Sequence, residues 1–219
     1  KEYHDYHVIE DAPLNHCLVH NCDAEILNTT KHVATKDGWM FVVPLQSRKS
    51  CGYLFNNQIT SVEEAKKNFS DLIGIEQDKM DKIEFKFKSY YTNRILNGRI
   101  IRNGNNAVFF EPMFGNSLYM YDAVNKMISS HMQNIALTDP KSLDIVQPFL
   151  EARLNEQFKY RATAVDDMLA FHYQGGSNYD TDFWKYAIEY GKNKTKDSKH
   201  LQRVLPQVRE CVDKNCWFN

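Results

Sequence analysis

The sequence predicts an α+β fold, with an antiparallel β-sheet first and mainly helices afterwards. β-branched and aromatic runs separated by turn signals fill the first half, and apolar residues at helical spacing fill the second. With 219 residues, 42% of them hydrophobic and 13% aromatic, the chain can bury a sizeable core. We expect residues 1–110 to form a sheet region with one short helix and residues 111–219 to form a helical region.

A three-stranded antiparallel meander is predicted early in the sheet region. Asp37-Gly38 is a strong hairpin signal between the strand-like runs 31–36 and 39–45. A polar turn then leads to a third run, residues 51–55. Residues 1–30, by contrast, show no clear periodicity.

One helix and one further strand follow in the sheet region. Residues 61–64 (Ser-Val-Glu-Glu) have the pattern of a capping box, which predicts a helix from residue 62 to about residue 69. Residues 83–88 alternate apolar and charged side chains, which is the period of a half-buried strand.

The second half reads as helical. Pro148 can occupy a first helical position, and apolar residues recur at three-and-four spacing over residues 150–172. Gly175-Gly176 ends this long helix. Residues 180–182 can cap a further short helix, and the tail beyond Gly191 is mostly polar and basic.

A connection of unusual length, residues 103–117, precedes the first helix of the second half, whose natural N-cap is Asn116 or Ser117. Two glycines permit close backbone approach, and Pro112 stiffens the chain. A helix N-terminus presents unpaired N–H groups, which suit a phosphate or a flavin carbonyl. An ordinary surface loop with a glycine-assisted helix start is the alternative.

Charge and hydropathy exclude two classes of partner. The chain has 27 Lys and Arg against 28 Asp and Glu, so its net charge is −1 and no basic excess exists to neutralise nucleic-acid phosphates. No run of 18 apolar residues occurs, so we expect no membrane span. Five cysteines, an odd number, argue against a disulfide scaffold and favour a reducing, cytoplasmic location.

Three weaker constellations have ordinary explanations. His16-Cys17-x-x-His20-x-Cys22 places four possible zinc ligands in seven residues. Adjacent His and Cys rarely bind one metal, so a polar strand or loop is favoured and no metal site is assigned. Asp166-Asp167 is expected on a solvated helix face, and spacing does not decide whether Cys211 and Cys216 pair.

Four groups of residues together form a recognisable pattern. They are Gly38-Trp39-Met40 with Pro44-Leu45-Gln46-Ser47-Arg48 and Gly52-Tyr53; Gly104-Asn105-Asn106-Ala107; Phe109-Phe110-Glu111-Pro112 with Gly115, Ser117 and Asp122-Ala123; and Phe171-His172-Tyr173 with Phe183-Trp184. Their order and spacing resemble those of flavin-dependent tryptophan halogenases, a branch of the FAD-dependent aromatic hydroxylases. The resemblance implies one compact unit, the C-terminal, substrate-side portion of a larger flavoprotein fold. The chain has no Gly-x-Gly-x-x-Gly, so the nucleotide-binding half is absent from it.

The resemblance also implies site residues. The flavin would lie against Gly104, Asn105, Pro112, Gly115, Asn116 and Ser117. Ligand pockets are commonly aromatic-lined, so Phe109, Phe110, Glu111 and Phe114 are candidate substrate contacts, with core packing as the alternative. The Glu-Ser that follows Pro-Leu in the family falls here on Phe114-Gly115. The catalytic glutamate is therefore not retained, and no catalytic residue is assigned.

The resemblance predicts the substrate-side portion of an FAD-dependent oxidoreductase, halogenase-like or monooxygenase-like, acting on an aromatic substrate. FAD binding would need the nucleotide-binding half to be supplied, and the expected partners are the flavin, an aromatic small molecule and a flavin reductase. The alternative is a non-catalytic partial relative that has lost the cofactor and acts as a binding or structural protein. Whether the chain is an enzyme is thus left open.

Overall fold

The computed structural model describes residues 5–23 and 29–213. The strands are β1 (Tyr6–Ile9), β2 (His16–Cys22), β3 (Lys31–Thr35), β4 (Gly38–Pro44), β5 (Lys49–Phe55), β6 (Ile83–Lys86), β7 (Ser89–Thr92), β8 (Leu96–Asn97), β9 (Ile100–Ile101) and β10 (Val108–Phe109). The α-helices are α1 (Val62–Ile73), α2 (Asn116–Leu137), α3 (Leu143–Gly175), α4 (Asp182–Lys196) and α5 (Lys199–Asp213). Antiparallel sheets followed by helices confirm the predicted α+β class.

Backbone contacts divide the described residues into two compact units. Unit 1 contains residues 5–9, 89–171 and 193–213, and unit 2 contains residues 10–23, 29–88 and 172–192. Each unit is therefore assembled from separate stretches of the chain. The division predicted at residue 110 separates a sheet region from a helical region rather than two compact units, so it stays a prediction.

A five-stranded antiparallel sheet in the order β3-β4-β5-β2-β6 forms the body of unit 2. The predicted meander is confirmed, since β3 and β4 pair up to the Asp37-Gly38 turn and β4 pairs with β5 along its whole length. Apolar residues of helix α1 pack against one face of this sheet, where Ala65 and Phe69 join Met40 and Tyr53 in one buried cluster.

Residues 16–22 were predicted only as a polar strand or loop, and they form β2, an inner strand between β5 and β6. Its histidines, cysteines and asparagine conceal the apolar alternation that marks a strand. His16 is fully buried and its ring stacks on Phe55 at 4.7 Å. Of the two alternatives the strand is the correct one, and four of its seven residues are buried, His16 and His20 among them.

Strand β6 lies where the sequence predicts a strand, but the predicted half-burial is wrong. All four of its residues are exposed, and Ile83 and Phe85 each retain 45% of their accessible surface. The physical reason is its position, because β6 is an edge strand of the unit 2 sheet and pairs with β2 alone among the described residues.

Unit 1 combines a small sheet with helices. Strand β7 lies between β1 and β10, and all three are antiparallel. A short hairpin, β8–β9, turns at Gly98. Pairing of β10 with β7 fixes one end of the 103–117 connection, and α2 begins at its other end. Within the described residues, none of the helices is both long enough and apolar enough to cross a lipid bilayer.

The helix predictions are correct in position and differ at the ends. Ser61 caps α1 as predicted, because its hydroxyl accepts a hydrogen bond from the Glu64 N–H at 3.2 Å, and the helix continues to Ile73. Helix α3 ends at Gly175 as predicted but begins at Leu143, so Pro148 lies inside it.

Helices α4 and α5 are more regular than the sequence indicated. The predicted short helix is a helix of 15 residues, and Thr181 caps it by accepting from the Trp184 N–H at 3.5 Å. Helix α5 lies in the tail, which was predicted to be mostly polar and basic within the helical region 111–219, without a helix being assigned there. Its apolar residues at 201, 205 and 208 follow helical spacing, a signal that Pro206 interrupts.

The burial of His16 predicts a stability that depends on pH. Burial lowers the pKa of His16 in the folded chain, with Glu84 opposing the shift. The unfolded chain therefore takes up a proton more readily, so the free energy of unfolding should fall as pH drops below about 6.5. Urea unfolding of the wild type and His16→Phe at several pH values tests this. Equal pH slopes for the two proteins would contradict it.

Candidate functional site

The 103–117 loop is folded rather than irregular. It contains a 3₁₀ turn at Gly104–Asn106, strand β10, and a second 3₁₀ turn at Met113–Gly115 that runs directly into α2. Its fifteen residues are therefore ordered by these short elements rather than irregular, although a connection of this length is often irregular.

Side chains from neighbouring elements hold the first turn of this loop in place. The Asn103 side chain accepts from the Gly104 N–H at 2.8 Å and donates to Asn125 of α2 at 2.7 Å. Asn105 is fixed at both ends, since the Tyr90 hydroxyl donates to its carbonyl at 2.8 Å and the Tyr121 hydroxyl donates to its side-chain oxygen. The predicted flavin contact Asn105 is thus anchored on both sides of the loop.

The second turn has an unusual backbone. Phe114 (φ 56°) and Gly115 (φ 66°) are consecutive residues in the left-handed region, and Phe114 is the only non-glycine residue with positive φ among those described. A non-glycine residue there costs about 1–2 kcal/mol. Such strain persists where the surrounding structure imposes it, and it concentrates at ligand sites.

Open space lies beside both glycines of the loop. A Cβ atom added to Gly104 or to Gly115 would meet no atom within 4 Å. Both positions therefore allow a ligand to approach the backbone closely, whereas the Cβ added to Gly38 would meet the Leu54 carbonyl oxygen at 2.2 Å.

The start of α2 differs from the prediction, because its N-cap is Gly115 rather than Asn116 or Ser117. The Ser117 hydroxyl instead binds inside the loop, accepting from the Phe110 N–H at 3.0 Å and donating to the Phe110 carbonyl at 3.1 Å. No side chain caps the first turn of α2, and no acidic residue lies in it. The first turn itself therefore adds no negative charge to the positive end of the helix.

Asn116, the first residue of α2, has a side-chain amide that is buried and could still donate a hydrogen bond. The residue is 5% exposed, and its side-chain nitrogen has no hydrogen-bond partner among the described residues. A buried donor left unpaired in this way costs about 1–3 kcal/mol and calls for a ligand or solvent partner. Pro112, also a predicted flavin contact, is half-buried, and its carbonyl accepts from the Gly115 N–H at 3.1 Å.

The four candidate substrate contacts fall into two groups. Phe110 and Glu111 are buried, with 0% and 2% exposure. Phe109 is half-buried and its ring stacks with Tyr90 at 6.2 Å, while Phe114 is 55% exposed. Only Phe109 and Phe114 therefore present surface to a ligand in this structure.

Other motif residues are structural. In unit 2, the Trp39 indole donates to the Tyr173 hydroxyl at 3.2 Å, and the Trp184 indole donates to the Thr35 carbonyl at 2.7 Å. Each of these three rings is at most 5% exposed. These motifs therefore build the core of unit 2.

The zinc alternative finds no support in the arrangement of β2. Strand alternation places His16, His20 and Cys22 on one face and Cys17 on the other. Burial raises the pKa of the Cys17 thiol to about 12, so it stays protonated and is a poor ligand. Across residues 5–23 and 29–210, no three His, Cys, Asp or Glu side chains form a possible metal site. The possible pairing of Cys211 with Cys216 lies outside the described side chains.

The prediction that Asp166-Asp167 lies on a solvated face is wrong. The two residues are 3% and 5% exposed. Lys194 pairs with Asp166 at 2.8 Å, and the Ser198 hydroxyl donates to Asp167 at 2.6 Å. Burial raises the pKa of Asp166, and the pair ties α3 to the end of α4 within unit 1. Partners distant in sequence give no local signal.

Comparison with known proteins identifies relatives along most of the chain. A family model for tryptophan halogenase matches residues 8–215. The tryptophan 7-halogenase RebH of Lentzea aerocolonigenes is 23% identical over 180 residues, 82% of this chain and 32% of that protein. The tryptophan 6-halogenase ThaL of Streptomyces albogriseolus is 24% identical over 156 residues, 71% of this chain and 28% of that protein. The chain thus spans less than a third of the length of these curated relatives.

Solved structures share the fold. A tryptophan halogenase from Shewanella frigidimarina superposes with a TM-score of 0.74 at 18% identity, covering 92% of this chain and 38% of that one. A flavin-dependent halogenase from Xanthomonas campestris superposes with a TM-score of 0.66 at 17% identity, covering 83% and 35%. Sequence identity this low shows likeness of fold alone.

Proposed function

Since the chain belongs to the tryptophan halogenase family, we propose that it is the substrate-side portion of a flavin-dependent oxidoreductase, halogenase-like or monooxygenase-like, acting on an aromatic substrate. The 103–117 loop is the proposed flavin-ring site. The observation that carries this proposal is the combination, at one turn, of left-handed backbone, open space beside Gly115 and an unpartnered Asn116 amide.

The residues of the loop have distinct proposed roles. Gly104 and Gly115 let the ring approach the backbone, because neither has a side chain in the open space beside it. The Asn116 side chain and the uncapped first turn of α2 supply donors and positive potential for the ring carbonyls. Asn105, Pro112 and Ser117 hold the shape of the loop through their own hydrogen bonds.

A bound flavin, once reduced, supplies the activation of dioxygen, while the protein contributes binding, orientation and exclusion of water. In this chain Phe109 and Phe114 offer aromatic surface to a planar substrate, since rings favour stacked and edge contacts. Phe110 and Glu111 act behind them, as buried support. The nucleotide end of FAD would be held by residues that this sequence does not contain, and a separate flavin reductase would deliver electrons in the cytoplasm.

The position at which the resemblance places the glutamate of the family is occupied by Phe114. Glu111 is 2% exposed and Phe114 is 55% exposed, so the two side chains occupy different environments. Oxygen transfer to the ring and halide oxidation therefore both remain within the proposal, with no residue of this chain assigned as the catalytic acid.

A non-catalytic binding or structural protein is the second candidate. The observation that favours it is again Phe114, because an exposed aromatic side chain at this position suits contact with a ligand or protein and performs no proton transfer.

Flavin binding decides between the two candidates. The purified chain is titrated with FAD and with riboflavin, and quenching of flavin fluorescence is measured. We expect binding of both flavins by the wild type and at least about tenfold weaker binding by Gly115→Trp, a loss of about 1.4 kcal/mol, because the indole fills the open space beside the turn.

Gly74→Trp is the matched control. Gly74 also has a left-handed backbone (φ 70°) and open space at its Cβ position, but it ends α1 in unit 2. Equal losses in the two variants would attribute the effect to backbone strain. A wild-type chain that leaves flavin fluorescence unchanged would favour the non-catalytic candidate.

A further inference from the structure

Strand β6 offers an exposed edge that is unusually apolar. Its residues Ile83 and Phe85 are each 45% exposed, and Phe87, which follows the strand, is half-buried. Within the described residues the other edge of β6 pairs with nothing. Open edges template the pairing of further strands, and natural proteins usually blunt them with charge, proline or a bulge.

The ladder with β2 fixes which backbone N–H and C=O groups of β6 point toward β2 and which point to the open edge. The Phe87 N–H donates to the Asn15 carbonyl at 2.9 Å, so this pair is a hydrogen-bonded pair of the β2–β6 ladder. Hydrogen-bonded and non-hydrogen-bonded pairs alternate along an antiparallel ladder. The backbone N–H and C=O groups of Ile83 and Phe85 therefore also point toward β2. The N–H and C=O groups of Glu84 and Lys86 face the open edge.

The charges on those two residues select one way of pairing. When two antiparallel copies of β6 meet, a twofold axis at Glu84 or at Lys86 places like charges opposite each other, which is destabilising. An axis at Phe85 places Glu84 of each copy opposite Lys86 of the other. It also places Lys82 opposite Lys88, but the charge of Lys88 is already paired with Glu10 at 2.8 Å. This register also pairs the outward-facing backbone groups of Glu84 and Lys86, which gives hydrogen-bonded pairs on each side of the axis.

We propose that the β6 edge is an interface between two copies of this chain, joined as antiparallel strands about a twofold axis at Phe85. The two Phe85 side chains form the central non-hydrogen-bonded pair, in which side chains approach most closely. Ile83 of each copy lies opposite Phe87 of the other, so the exposed apolar row is covered. The two five-stranded sheets become one of ten strands, within the range of natural sheets.

The existing ion pairs of β6 are compatible with this interface. Glu84 pairs with Lys66 at 3.0 Å and has a second oxygen 3.3 Å from His16. Lys86 makes no ion pair with any residue in the described part of the chain. The second copy therefore gives Lys86 an acidic partner, and the isologous geometry provides this contact twice.

Sedimentation velocity of the purified chain over a range of concentrations tests the interface. We expect a monomer–dimer equilibrium for the wild type. Glu84→Lys and Lys86→Glu should each raise the dissociation constant at least about tenfold, because two attractive pairs become repulsive in each homodimer. Lys67→Glu, an exposed change on α1, should leave the equilibrium unchanged.

Recombining the changes identifies the register. An equimolar mixture of the Glu84→Lys and Lys86→Glu chains should restore a dimer, and so should the double variant, since both recreate opposite charges across the axis. Circular dichroism confirms that each variant is folded. A wild type that remains monomeric at its highest soluble concentration would overturn the proposal. A dimer indifferent to the charge reversals, or one not restored by the mixture, would also overturn it.

Discussion

Replacing Gly38 with alanine is expected to cost about 4 kcal/mol or more of folding free energy. Its Cβ atom would lie 2.2 Å from the Leu54 carbonyl oxygen, and φ at this position is 157°. The obstacle is backbone in the paired β4–β5 ladder, which cannot move without breaking hydrogen bonds. Urea unfolding of the purified variant measures the loss.

Alanine substitutions at two other glycines provide the comparison for Gly38→Ala. Gly52→Ala would press on the Phe41 ring at 2.0 Å, but this half-buried side chain can rotate away, so a loss of about 1–3 kcal/mol is expected. Gly98→Ala has open space and φ 59°, which leaves strain alone, about 1–2 kcal/mol. If Gly38→Ala proved no worse than Gly98→Ala, the close approach of β4 to β5 would be disproved.

Asp37→Ala is expected to produce the next largest loss, about 3 kcal/mol or more. The buried Asp37 carboxylate accepts from the Tyr53 hydroxyl and the Asn68 amide, both at 2.6 Å, and from the Thr60 hydroxyl at 3.3 Å. Burial, together with Asp37, raises the pKa of Tyr53, so its hydroxyl remains a donor. Removing the acceptor strands three buried donors.

Asp71→Ala is the matched control, because Asp71 is an exposed carboxylate whose partner Lys67 lies one helical turn away at 3.0 Å. Its loss should stay within about 0.5 kcal/mol. Urea unfolding of both variants gives the comparison. Similar losses from the two aspartates would show that the Asp37 network contributes nothing beyond an ordinary surface carboxylate.

The sequence was sufficient for elements whose signals are local. The Asp37-Gly38 turn, the Ser61 cap and the Gly175-Gly176 stop each depend on residues within a few positions, and each is confirmed. Strand β2 could not be separated from a loop, because its burial comes from β5 and β6 and its polar residues give no apolar alternation. Asp166 was misjudged for the same reason, since Lys194 lies far along the chain.

The candidate site shows the same limit. The position of the 103–117 loop and the helix behind it could be predicted from glycine, proline and the helical pattern. The left-handed Phe114 could not, because a bulky residue gives no sequence signal for positive φ. The sequence also could not show that the Ser117 hydroxyl bonds to the backbone of Phe110. Because of these two hydrogen bonds, Ser117 stabilises the loop.

The interleaving of the two units has a consequence for synthesis on the ribosome. Among the described residues the chain passes between the units four times, so unit 2 is complete only after residue 192 has been synthesised, and unit 1 only after the stretch that begins at Asn193. The sheet of unit 2 emerges early, yet Tyr173 and Trp184, which bond to Trp39 and Thr35, are made more than a hundred residues afterwards. During that interval the sheet lacks two of its hydrogen-bond partners, and a product shortened at residue 171 would leave the indole N–H of Trp39 without its acceptor Tyr173.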